Sequence, residues 1–129
     1  MSAFSAHHGK TPPQIGEALL DSAALDDLAE MSRDPSLVAR VARLYCTTAP
    51  ARIAELRDAI ARADVKATAS AAHGLKSMSL NIGAQAVAQL AGAIERDARE
   101  NQGLADDPRV EALAQLAELT YSALRERAV

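Results

Sequence analysis

Of the side chains that carry disulfides, metal clusters and base stacking, 129 residues hold one cysteine, no tryptophan, and as aromatics only Phe4, Tyr45 and Tyr121. Cys46 alone can form no internal disulfide and no cysteine metal cluster. It is expected to be a reduced, buried, small hydrophobe. The net charge is −3, and no aromatics alternate with Lys and Arg. That excludes the dense basic field and the stacking platform of a nucleic-acid binder. No apolar run approaches the ~20 residues of a membrane span, and Met1 to Lys10 lack the apolar stretch of a signal peptide. The chain is therefore expected to be cytoplasmic, with no membrane partner.

The hydrophobic residues, 49% of the chain, are mostly Ala and Leu, which favour close-packed helices over sheets. The length suits a single domain that can bury a core without metals or disulfides. Residues 1–20 carry His7, His8, Gly9, Pro12, Pro13 and Gly16 and are expected to form a flexible N-terminal tail, with the folded domain spanning 21–129. Gly9-Lys10-Thr11 resembles the end of a phosphate-binding loop, but the first glycine and the preceding strand are missing.

A first helix is predicted from Asp21 or Ser22 to Met31, with Leu25 and Leu28 inward. Asp34 as cap with Pro35 at the first helical position starts a second. It carries Leu37, Val38, Val41, Leu44 and Tyr45 on its apolar stripe and runs, bent near Pro50, to about Ala63. Asp64 caps a third over 65–81, which Gly83 stops. A fourth covers about 85–101, ended by Asn101 and Gly103. Asp107 and Pro108 open a fifth that runs to about Arg127, with Val110, Leu113, Leu116, Leu119 and Leu124 apolar. Helices with short connections and no strand signal predict an all-α antiparallel bundle.

On a wheel of about 100° per residue, Ala71, Leu75, Met78 and Ile82 cluster on one side of the third helix, with His73 roughly opposite. Around His73 lie Lys76 at +3, Ser77 at +4 and Leu80 at +7. Gly74 follows the histidine in mid-helix, where glycine costs about 0.5–1 kcal/mol relative to alanine, and Ser77 is also small. Both leave room for a partner to approach the ring. Imidazole as a residue type titrates near pH 6.5, so its neutral, nucleophilic form is available near neutrality. A lysine one turn away supplies the positive charge that phosphoryl oxygens require.

The string Ala72-His73-Gly74-Leu75-Lys76-Ser77-Met78-Ser79-Leu80-Asn81-Ile82-Gly83 resembles the histidine-containing phosphotransfer (HPt) family. That family's pattern is histidine, any residue, leucine, lysine, a small residue that is usually glycine, and a segment ending in leucine-glycine. His73, Leu75, Lys76 and Gly83 match, and Ile82 replaces the leucine. Ser77 stands where glycine is commonest, and Gly74 where serine is common. The likeness covers about residues 20–127. It implies an antiparallel up-down four-helix bundle with an additional short N-terminal helix and His73 midway along one bundle helix. It further implies that His73 carries a phosphoryl group, Lys76 screens it, Gly74 and Ser77 keep access open, and Asn81, Gln85 and Gln89 orient the ring or touch phosphate.

The implied partners are response-regulator receiver domains and a hybrid histidine kinase. No cofactor or metal would be bound by this chain, and Mg²⁺ would sit in the receiver. Such a protein is a phosphoryl carrier rather than an enzyme, and a monomer if the helices close on themselves. Two alternatives are a bundle that regulates a receiver or kinase without being phosphorylated, and a helical phosphatase of receiver aspartyl phosphate using Gln85 or Gln89. Leu80 and side chains of the second helix are expected to frame the docking face. Arg96, Asp97, Arg99 and Glu100 read as a solvated helix face. The absence of a Glu-x-x-His pair excludes a di-iron bundle, and His7 and His8 lack further ligands at metal-binding spacing.

Overall fold

The structure, a computed structural model, describes residues 19–100 and 108–128. Among these residues every regular element is a helix: α1 (Ser22–Met31), α2 (Leu37–Ala61), α3 (Val65–Asn81), α4 (Gln85–Arg99) and α5 (Arg109–Ala128). Aspartate caps start α1 and α3. The Asp21 carboxylate accepts the Ala23 N–H at 3.0 Å, and that of Asp64 accepts the Ala67 N–H at 3.0 Å. Each satisfies an amide that the first helical turn leaves without an intrahelical acceptor.

At Asp34 the outcome differs from the predicted start. The Asp34 carboxylate accepts the Ser36 N–H at 2.9 Å and its hydroxyl at 2.7 Å, while its carbonyl accepts the Leu37 N–H at 3.1 Å. That tighter first turn postpones the regular helix to Leu37. Once begun, α2 passes through Pro50 without interruption. It ends at Ala61 rather than near Ala63, because Ala63 turns left-handed (φ 55°). The amides of Ala63 and Asp64 fold back to the carbonyls of Ile60 and Ala59, each at 2.9 Å.

The connections after α2 and α3 are too short to let a helix travel, so consecutive helices run antiparallel. Cross-links fix the register. Tyr45 of α2 shares a 2.7 Å hydrogen bond with Ser79 of α3 and meets Tyr121 of α5 edge-on, with ring centroids 6.1 Å apart. Arg57 of α2 pairs with Glu111 of α5 at 3.1 Å, and Arg109 of α5 with Asp97 of α4 at 2.7 Å. Helices α2–α5 thus form the up-down four-helix bundle, with α1 as the short additional helix.

Leu56, Leu75, Ile82, Val87, Ile94, Leu113 and Leu124 fill the interior, and Ala49, Ala72, Ala84, Ala91 and Ala98 are buried between them. Each fully buried Leu, Ile or Val contributes about 1.5–3 kcal/mol, and the alanines let the axes approach closely. The first helix closes one end of the bundle through buried Leu25 and a 2.6 Å bond from the Asp21 N–H to the Gly83 carbonyl.

Several expectations need correction. Leu19 and Leu20, assigned to the tail, are buried in the core; residues 1–18, with His7 and His8, lie outside the described residues. Leu44 and Leu119 are exposed although both fall on a predicted apolar stripe, because the bundle covers a narrower arc of α2 and α5 than the stripe spans. Cys46 is half-buried. Helix α4 stops at Arg99, where the Glu100 N–H bonds back to the Arg96 carbonyl. The predicted stop at Asn101 and Gly103 and the cap at Asp107 lie outside the described residues. No described helix is long and apolar enough to cross a membrane.

Candidate functional site

Helix α3 presents two unlike faces because its small and apolar residues recur at helical spacing. Thr68, Ala71, Ala72, Leu75 and Ser79 turn inward, which leaves His73 outward, its side chain 54% exposed. The outward face also carries exposed Leu80, 57% accessible, and half-buried Ser77.

What holds the imidazole is a carboxylate from the neighbouring helix. His73 Nδ1 lies 3.0 Å from Glu95 Oε2. The same carboxylate receives Lys76 Nζ at 3.1 Å on Oε1. Arg99 reaches Oε2 with Nε at 2.9 Å and a terminal guanidinium nitrogen at 2.8 Å. The Glu95 side chain is 9% exposed. Burial pushes its pKa up, but hydrogen bonds from Arg99, Lys76 and His73 outweigh this, and the net shift is downward. Glu95 is therefore ionised at neutral pH. An ionised carboxylate only accepts hydrogen bonds, so the nitrogen facing it must carry the proton. In the neutral ring this leaves the lone pair on Nε2.

Two open hollows lie beside these residues, and the histidine lines one of them. One, of about 620 Å³, is lined by Val65, Lys66, Ser70, His73 and Arg99. The other, of about 590 Å³, is lined by Lys76, Leu80, Gln85, Gln89, Gly92 and Arg96. On the α2 side Arg52 lies beside Gly74. A Cβ at Gly74 would sit 3.8 Å from the Arg52 side chain, an ordinary contact, so packing within the chain does not demand glycine there.

The residues singled out from sequence are only partly brought together. His73 and Lys76 meet on Glu95, with Gly74 and Ser77 adjacent along α3. Gln85 comes ten positions before Glu95 on α4, about 15 Å along the axis, and Gln89 six positions before it, about 9 Å. Both line the groove beside Lys76. Asn81 is exposed at the C-terminal end of α3. The contact that orients the ring comes from Glu95, which sequence reasoning missed, and Arg99 is an ion-pair partner of that buried carboxylate rather than part of a solvated face.

A signal for Glu95 was available. It follows Val87 by eight residues and Ala91 by four, so it shares the inward stripe of α4. A carboxylate on such a stripe must find cationic partners, and Arg99 one turn later is placed to be one.

A family model, that of the Hpt domain, matches residues 40–126. No curated protein and no solved structure matches the chain.

Proposed function

The chain belongs to the Hpt domain family, whose members carry phosphoryl groups in phosphorelays, and on that premise we propose that His73 accepts a phosphoryl group from a receiver aspartate and passes it on. The observation that supports this reading is the 3.0 Å contact between His73 Nδ1 and the ionised Glu95 carboxylate, made by a side chain that is 54% exposed.

The Nε2 lone pair attacks the phosphorus of an aspartyl phosphate, and an N–P bond forms. The P–O bond to the aspartyl carboxylate breaks, and that carboxylate leaves with the electron pair. The ring keeps its Nδ1 proton and becomes cationic, with the negative charge of Glu95 against it. Onward transfer to a second receiver is the reverse reaction. Lys76 and Arg99 supply positive charge beside the phosphoryl oxygens. They are anchored on Glu95 beforehand, so little reorganisation is needed as the group arrives. Residues 74 and 77 keep bulk away from the path to Nε2, and Leu80 offers apolar contact to a receiver surface.

The partners under this reading are a receiver domain that donates and one that accepts, or a hybrid histidine kinase and a response regulator. The test is transfer from radiolabelled phospho-receivers to the wild type and to His73→Gln. Label on the wild type alone is expected, acid-labile and base-stable as a phosphoramidate is. Receiver phosphate left unchanged by both proteins would favour a passive regulator. Faster receiver dephosphorylation by both proteins would favour a phosphatase and overturn the carrier role.

A further inference from the structure

The three glycines among the described residues answer to different demands. Gly83 adopts a left-handed backbone (φ +78°). At Gly74 a Cβ would find room. Gly92 sits in the middle of α4 with neither excuse, at a position where glycine is a poorer helix former than alanine. A Cβ built there falls 3.1 Å from Lys76 Cδ and 4.0 Å from Lys76 Cγ, with no other described heavy atom outside its own helix neighbourhood within reach. Carbon atoms pack best at about 3.5–4.0 Å, so the lysine stem occupies the space a side chain would need.

The register explains why. Helices α3 and α4 are antiparallel; Lys76 follows His73 by three residues, and Gly92 precedes Glu95 by three. The two pairs therefore face each other one turn apart. To bring Nζ within 3.1 Å of Glu95 Oε1, the lysine must run back along the surface of α4, and its path crosses residue 92. The groove bordered by Lys76, Gly92 and Arg96 is the open side of that path.

We propose that Gly92 is a positioning residue for Lys76, a bare stretch of α4 on which the lysine stem lies so that its ammonium is held beside Glu95 and the His73 ring. The role rests on the carrier function proposed for His73. Its signature is a helix made less stable at the one place where a methyl group would lift the lysine. Gly92→Ala forces the stem to give by a few tenths of an ångström, and the branched side chain of Gly92→Val forces more.

The test is a double-mutant cycle. Wild type, Gly92→Ala, Gly92→Val, Lys76→Ala and the two double variants are compared by transfer rate at saturating phospho-receiver, by thermal melting, and by NMR titration of the Glu95 carboxyl carbon. Gly92→Ala is expected to melt higher than wild type yet accept phosphate about threefold more slowly, and Gly92→Val about tenfold more slowly, since a misplacement of 1 Å costs up to about a hundredfold. Neither substitution should slow transfer further once Lys76 is alanine. The Glu95 titration midpoint should rise in Lys76→Ala, and by most of that amount in Gly92→Val, as the ammonium moves away.

Wild-type rates in both glycine variants would overturn the proposal, as would a loss that persists undiminished without Lys76. If the wild type takes up no phosphate, the carrier role itself fails. The titration then still decides Gly92: an unmoved Glu95 midpoint in Gly92→Val rejects the positioning role, and a raised one supports it.

Discussion

Replacing Glu95 tests the central geometry most directly. Only the tautomer with the proton on Nδ1 leaves Nε2 free to attack, and in this structure the Glu95 carboxylate at 3.0 Å selects it. A hydrogen bond to a charged group is worth about 1.5–3 kcal/mol. His73 is half exposed, so solvent screening places its bond at the lower end, about 1.5 kcal/mol, or roughly tenfold in the competent population. Glu95→Leu removes the acceptor and releases Lys76 and Arg99 as well, so a loss of about tenfold or more in transfer rate is expected. Glu95→Gln keeps a neutral acceptor and should fall between, at about three- to fivefold. Long-range nitrogen–proton NMR at mildly alkaline pH reads the tautomer directly, apart from any activity. It should show Nδ1–H dominant in the wild type and reduced in Glu95→Leu. A wild-type ring protonated mainly on Nε2, or full-rate transfer by Glu95→Leu, would refute the reasoning.

The remaining predictions concern docking, pH and the core. Leu80→Asp should slow transfer about five- to tenfold by removing apolar docking contact, with an unchanged helical circular dichroism spectrum; an unaltered rate would remove Leu80 from the interface. Glu95 titrates below the usual glutamate value in the folded chain, so its stabilising contribution is present above about pH 4.3 and is lost as pH falls through the lower folded value. Denaturant melts of Glu95→Gln should therefore show a shallower acid dependence than those of the wild type. Tyr45→Phe leaves the fully buried Ser79 hydroxyl without its 2.7 Å partner and should cost about 1–3 kcal/mol. Tyr121→Phe removes a buried hydroxyl that has no hydrogen-bonding partner among the described residues, and should be neutral or stabilising by up to about 1 kcal/mol. Burial raises the Tyr45 phenol to about 12. That contribution is complete below about pH 10 and is lost as pH rises towards 12, which absorbance titration of the phenolate against Tyr45→Phe will follow.

The helices and their order were legible because the determining interactions are local. Asp21 and Asp64 bond to amides two or three residues on, Gly83 turns the chain at its own φ, and apolar residues recur at the helical period. The likeness around His73 was legible for the same reason, since His73, Leu75 and Lys76 share about one turn of one helix. Leu44 and Leu119 were misplaced because a stripe of apolar residues is wider than the surface the neighbouring helices cover. Periodicity orients a helix without stating how much of it is wrapped.

By itself, then, the sequence determined the helical class, the aspartate caps of α1 and α3 and the stop at Gly83, the outward placement of His73 opposite the core stripe of α3, and the family resemblance. Only the tertiary structure decided which groups the histidine meets. Glu95 lies on another helix, and its distance from His73 depends on the antiparallel register of α3 against α4, set by the turn at residues 82–84 and the packing of small residues between the two. The same register lays the Lys76 stem over Gly92 and gives Arg99 a buried carboxylate to hold. Local propensity shapes each helix. The pairing of charges between helices arises only when the core closes.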